Sequence, residues 1–130
     1  MEREQYDFTC EDLNPKFLFA CLLDRTEEER KYHAHDFIEL AVIMKGKSRF
    51  CIDGEDYEVE EGNLILLNPG TYHKSVPVVT GAHGCVECYM AFTDVDFKGC
   101  AKGQIPLFKG NRRILRMPEG MKQDVYRLWS

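Results

Sequence analysis

The chain has 130 residues, 44% of them hydrophobic and 30% charged, with a formal net charge of −5. That length holds one domain with one core, and the composition is globular, which excludes a disordered chain. The acidic balance excludes a chain that grips DNA or RNA by itself, because such binding rests on Lys and Arg neutralising phosphates.

From the start of the chain, Met1 to Asp7 is charged and polar with no apolar run behind it, so no signal peptide is expected. The longest apolar run, Phe17 to Leu23, is far shorter than the roughly 20 residues of a spanning helix. A cytoplasmic protein without a membrane partner is expected, and its six cysteines (Cys10, Cys21, Cys51, Cys85, Cys88 and Cys100) then read as reduced thiols. Residues 1–16, with Tyr6 and Phe8, read as an N-terminal arm.

Short runs of strand formers follow, separated by turn signals: Phe17 to Leu23, Asp36 to Lys45 and Ser48 to Asp53. Asp53-Gly54 is a two-residue hairpin signal, with Phe50 and Ile52 alternating before it and Tyr57 and Val59 after it. Glu61-Gly62 turns the chain into Asn63 to Leu67, and Asn68-Pro69-Gly70 turns it again. Tyr72 to Val79 and Cys85 to Phe92 complete the set. Turns this regular predict an all-β sandwich or barrel. Within the last run, Cys85 and Cys88 stand three apart, so on a strand their sulfurs point to opposite faces. They read as small buried hydrophobes and not as a redox pair or half a zinc site. His83, between Ala82 and Gly84, reads as a loop residue.

The tail has a different character. Residues 94–130 carry +4, against −9 for residues 1–93. Pro118 and Glu119 suit the start of a helix. Met121, Val125, Leu128 and Trp129 then fall on one helical face, so a helix beginning near Pro118 must dock on its own domain or on a partner.

The chemistry concentrates at His33-Ala34-His35-Asp36-Phe37-Ile38-Glu39. On a strand, residues 33, 35 and 39 share a face. A straight strand would hold Glu39 about 20 Å from His33, so convergence requires a bend or bulge between them. His73, beyond the Asn68-Pro69-Gly70 turn, is a fourth candidate. Imidazoles and a carboxylate on one face can bind a divalent metal or hydrogen-bond a polar ligand.

His33-x-His35-x3-Glu39-x6-Gly46 resembles the first cupin motif. Gly62-x6-Pro69-Gly70-x2-His73 resembles the second, with Pro and Gly adjacent instead of separated by one residue. The stretch from His35 to His73, together with Cys88 to Asp94, is similar to the N-terminal effector-binding and dimerisation domain of AraC-type transcriptional regulators. The resemblance covers roughly residues 15 to 95, and the tail only in outline.

The resemblance implies a mostly β, cupin-type β-barrel over residues 17–116, followed by the start of a dimerisation or linker helix over 117–130. It implies a small-molecule effector, a sugar among the candidates, and Phe37, Tyr57 and Tyr72 are candidate lining residues beside His33, His35, Glu39 and His73. It implies a homodimer, with Met121, Val125, Leu128 and Trp129 on the dimerisation face. DNA would be bound by a C-terminal helix-turn-helix domain for which these 130 residues leave no room. Arg112, Arg113 and Arg116 then read either as a solvated surface or as neighbours of that region.

His33, His35, Glu39 and His73 match all four ligand positions of metal-binding cupins, so a divalent ion such as Zn, Ni, Fe or Mn is a candidate cofactor. Many regulators of this type resemble the pattern without using a metal, and no catalytic residue is expected for a sensor. The alternatives are a metal-dependent cupin enzyme, an isomerase or dioxygenase, using those four residues, and a plain oligomerisation module with an empty barrel.

Overall fold

The computed structural model describes residues 15–28, 31–97, 99–108 and 110–127. Among these residues the order is β1 (Lys16–Arg25), β2 (Ile38–Lys45), β3 (Lys47–Ile52), β4 (Glu55–Glu60), β5 (Asn63–Leu67), β6 (His73–Pro77), β7 (Cys85–Thr93), β8 (Ile114–Arg116) and α1 (Glu119–Arg127). The strands form two antiparallel sheets, one ordered β1-β7-β2-β5-β8 and one ordered β4-β3-β6. The expected N-terminal arm lies almost wholly outside the described residues.

Period-2 alternation decides what each strand buries. On β7, Cys85 and Tyr89 join Ala41, Ile43, Phe50, Ile52, Val59, Ile65 and Leu67 in the apolar core between the sheets. Cys88 instead joins Val42, Met44 and Met117 in a second cluster. The two sulfurs therefore diverge, as their spacing predicts. Burial, and next to it Glu87, pushes the Cys85 thiol up to about 12, so it acts as a hydrophobe. The described cysteines Cys21, Cys51, Cys85, Cys88 and Cys100 are free thiols.

The turns form where their chemistry places them. Asp53 and Gly54 both hold positive φ, 47° and 84°, the pair of left-handed conformations that a two-residue hairpin needs. Ile52 then pairs with Glu55 directly across the turn. At the other end of the barrel, Gly84 packs so closely on the Arg25 carbonyl that a Cβ would overlap it.

Three boundaries differ from expectation. Strand β2 begins at Ile38 and not Asp36, because residues 33–37 are in transit between the sheets. Strand β6 is shorter than Tyr72 to Val79. Strand β8 was not expected: it has three residues and no alternation to read, and it forms by pairing with Asn63–Ile65.

Helix α1 lies where Pro118 predicts, and part of its apolar face docks on its own domain. Val125 and Tyr126 pack on the Val42–Met44–Cys88–Met117 cluster of the same chain. The Tyr126 hydroxyl lies 2.6 Å from the Met44 carbonyl and 2.8 Å from Glu61 Oε1, one proton between two acceptors. The outward face of the five-stranded sheet is apolar and needs a cover: α1 covers it around Val42, Met44 and Cys88, and residues 95–108 cover it around Ile38 and Leu66. Val125 is partly buried against its own domain, while Met121 stays exposed. Leu128 and Trp129 lie outside the described residues.

The basic tail is drawn onto the acidic barrel. Arg113 bridges Asp53 at 3.0 Å, Arg116 approaches Glu60 at 3.5 Å, and Lys122 approaches Glu61 at 3.5 Å. No helix among the described residues is long and apolar enough to cross a membrane.

Candidate functional site

The backbone at 33–37 explains how distant positions meet. His33 forms an isolated antiparallel bridge with His73, through His33 N–H to His73 O at 3.1 Å and His73 N–H to His33 O at 2.9 Å. The segment thus starts against β6 of the three-stranded sheet and enters the five-stranded sheet at Ile38. The bend this crossing requires replaces the straight strand, and Glu39 turns back toward the histidines. The 68–71 turn closes the same end, with Gly70 N–H donating to the His35 carbonyl at 2.9 Å.

Four of the predicted residues converge. One ring nitrogen from each of His33, His35 and His73 lies within 4.8 Å of the others. Glu39 places Oε2 3.6 Å from His35 Nε2 and Oε1 3.7 Å from His73 Nε2. Burial is graded across the group: His73 is 2% exposed and Glu39 6%, while the His35 side chain is 30% exposed and forms the open side.

Backbone carbonyls set the tautomers. His73 Nδ1 donates to the Thr71 carbonyl at 2.9 Å, and His33 Nδ1 donates to the Lys31 carbonyl at 3.2 Å. A carbonyl only accepts, so each neutral ring keeps its lone pair on Nε2. This is the outer support that metal-ligating histidines use, and three imidazoles with a carboxylate form a donor set that suits Zn, Ni, Fe or Mn. His33, His35 and His73 therefore fit a divalent ion, with Glu39 beside two of them.

Phe37 belongs to the site. Its ring stacks on His35 with centroids 4.6 Å apart and planes 6° apart, and Phe19 abuts Phe37 edge-on at 5.5 Å. The other two expected lining residues do not join the cluster. Tyr57 packs against the apolar core and sends its hydroxyl to Glu55 at 2.8 Å. Tyr72 is 59% exposed, because it precedes inward-facing His73 and so has the opposite parity. A cleft of about 460 Å³ lies beside the site, between the 68–71 turn and residues 100–107. Asn68 ties the two walls together, its side chain giving and accepting hydrogen bonds at Ile105, both 2.9 Å.

One buried polar group escapes a reading of the sequence. Glu87 is 0% exposed. It takes Arg25 Nε on Oε2 at 2.7 Å, the Tyr89 hydroxyl on Oε2 at 3.0 Å and the Ser75 hydroxyl on Oε1 at 2.6 Å. With the Ser75 proton so committed, Ser48 donates to Ser75 Oγ at 2.8 Å. The signal is parity: Glu87 is the charged member of the inward set Cys85, Glu87, Tyr89, Ala91, in a segment where the cysteines draw attention first.

The profile of the AraC-like ligand binding domain matches residues 17–94. This chain belongs to the AraC-like ligand-binding domain family. The matched region contains β1 to β7 and all four clustered residues. Among solved structures the chain is similar to an RmlC-like cupin from Shewanella frigidimarina, with 15% identity, 68% of this chain and 82% of that one covered and a TM-score of 0.46. It is also similar to KdgF from Halomonas sp., at 14%, 68%, 87% and 0.46, and to a cupin protein from Bacteroides fragilis, at 17%, 81%, 93% and 0.45. No curated protein matches the chain. The architecture is mostly β, with a single helix at the C-terminal side of the described residues.

Proposed function

We propose that this AraC-like domain is a non-catalytic cytoplasmic sensor that binds a small hydroxyl-bearing metabolite, such as a sugar, at His33, His35, Glu39 and His73. The observation that carries the reading is their convergence at a half-open end of the barrel, inside a ligand-binding family match. Imidazole lone pairs and a carboxylate accept hydrogen bonds from hydroxyls. The His35–Phe37 stack offers a ring face to the apolar side of a sugar.

A ligand that favours one arrangement of barrel and helix shifts the population toward it, and a paired domain passes that bias to a DNA-binding region. The test is a thermal-shift screen of sugars, polyols and hydroxy acids, each with and without Zn2+, Ni2+, Mn2+ or Fe2+. A true ligand well above its Kd adds about 2–3 kcal/mol of stability. The His35→Ala chain should lose that shift.

The three imidazoles within 4.8 Å also favour a second reading, a metal-dependent cupin enzyme. A bound divalent ion would supply Lewis-acid polarisation of a substrate oxygen. In that case His33 and His73 would present Nε2, oriented by their carbonyl partners, and Glu39 would hold charge against the ion. Stoichiometric metal in the purified chain together with turnover of a substrate supports this reading. Metal content near zero, with ligand binding intact, removes it.

A further inference from the structure

The end of the barrel away from the histidines carries a second cavity, of about 380 Å³. His73 opens strand β6, and Val78, just past the other end of that strand, lines this cavity. Its floor is closely packed backbone. Gly46 and Gly84 both line it; a Cβ on Gly46 would collide with the Gly84 carbonyl, and one on Gly84 with the Arg25 carbonyl. Only glycine lets three chain segments meet so closely, so the fold itself sets the shape of the floor.

Local backbone features then aim polar groups at this space. The pairing of β2 with β7 slips between Ile43 and Lys45, so Lys45 lies opposite Val86 and lines the cavity beside it. Lys47 stands on the other side of Gly46, and its carbonyl accepts the Val78 N–H at 2.9 Å, which ties the two walls together. Thr80 and His83 form an isolated bridge, with Thr80 N–H to His83 O at 2.8 Å and His83 N–H to Thr80 O at 3.1 Å, so both reach the cavity from one short turn. Lys74 and Lys122 meet carboxylates, at 2.8 Å and 3.5 Å, whereas Lys45 and Lys47 make no ion pair among the described residues. Two ammonium groups and an imidazole thus stand against one carboxylate, Asp24, in a chain whose net charge is −5. Such a local reversal of sign concentrates anions.

We propose that this cavity binds a small phosphorylated metabolite, its phosphate held by Lys45, Lys47, Thr80 and His83. Lysine is a compact point donor that suits a tetrahedral oxyanion, whereas a planar carboxylate is matched by the fork of an arginine, and no arginine among the described residues lines the cavity. The remaining space takes a short carbon body against Val78 and Val86, and Asp24 accepts a hydroxyl on that body. The site is separate from the histidine–carboxylate end and does not rest on the function proposed for it.

Two-dimensional amide NMR of the 130-residue chain tests it, by titration with inorganic phosphate, glycerol phosphate and hexose phosphates. The amides of Gly46, Thr80 and Gly84 should move, and those of Gly70 and Thr71 should not. The double variant Lys45→Gln/Lys47→Gln should raise the Kd about tenfold or more. Both lysines are exposed, so its spectrum should otherwise match the wild type. At least one organic phosphate should bind more tightly than inorganic phosphate, and His35→Ala should bind it as the wild type does. The proposal is overturned if no compound moves these amides, or if the double variant binds as tightly as the wild type. It is also overturned if inorganic phosphate binds as tightly as every organic phosphate, since the carbon body then has no place. Binding lost in His35→Ala and kept in the double variant would assign the phosphate to the histidines instead.

Discussion

Glu39 and Glu87 both sit on the inward face of the five-stranded sheet, and they are held in opposite ways. Glu87 is enclosed by a guanidinium and two hydroxyls at 2.6–3.0 Å, a set of close donors around a fully buried carboxyl. Glu39 faces imidazole nitrogens at 3.6 and 3.7 Å, at the end where His35 opens to solvent. The first arrangement is built to stay as it is. The second stands beside a cluster of three imidazoles, two of which, His33 and His73, are oriented by backbone carbonyls. A buried carboxylate enclosed by a guanidinium and hydroxyls serves structure. One placed beside clustered imidazoles at an end open to solvent is placed for binding.

Substitutions at the two carboxylates should therefore separate stability from binding. Glu87→Gln leaves Arg25 beside a neutral amide, and about 3 kcal/mol of stability should be lost in urea unfolding, while any ligand shift persists. Glu39→Gln should do the reverse: unfolding free energy within about 1 kcal/mol of wild type, and no thermal response to the metabolites or metals that stabilise the wild-type chain. A Glu39→Gln chain as unstable as Glu87→Gln would erase the distinction.

The helix provides a milder control away from both carboxylates. Tyr126→Phe removes the hydroxyl shared by the Met44 carbonyl and Glu61 and should cost about 1 kcal/mol without altering ligand response. The smallest effect concerns pH. The Tyr126 hydroxyl, and Lys122 with it, holds the Glu61 carboxyl below its usual value. A lowered folded pKa contributes stability that is complete above the unfolded pKa of 4.5 and is lost as pH falls through the folded value. Acid unfolding near and below that pH should thus be slightly less steep in Tyr126→Phe than in wild type, measured by far-UV circular dichroism.

Much of this was legible in the sequence because it depends on local chemistry. Asp53-Gly54, Glu61-Gly62 and Asn68-Pro69-Gly70 delimit strands β3 to β6, since only certain residues accept those backbone conformations. The ligand set was legible as residue types and parity. Its convergence was not, because the crossing between sheets at residues 33–37 depends on the His33–His73 bridge, a contact 40 positions apart. Tyr72 lies outside because it is adjacent to inward-facing His73 and so takes the opposite face. Periodicity marked the buried face of α1 but could not say that Val42 and Met44 bury it.

The central claim is that the histidine–carboxylate end of the barrel, and not the Arg25–Glu87 network, is where the chain binds its ligand. Thermal shifts of wild type, His35→Ala and Glu87→Gln across the metabolite and metal panel test it most directly. The account predicts at least one compound that stabilises both wild type and Glu87→Gln but leaves His35→Ala unmoved. A compound whose shift survives in His35→Ala and vanishes in Glu87→Gln would contradict it.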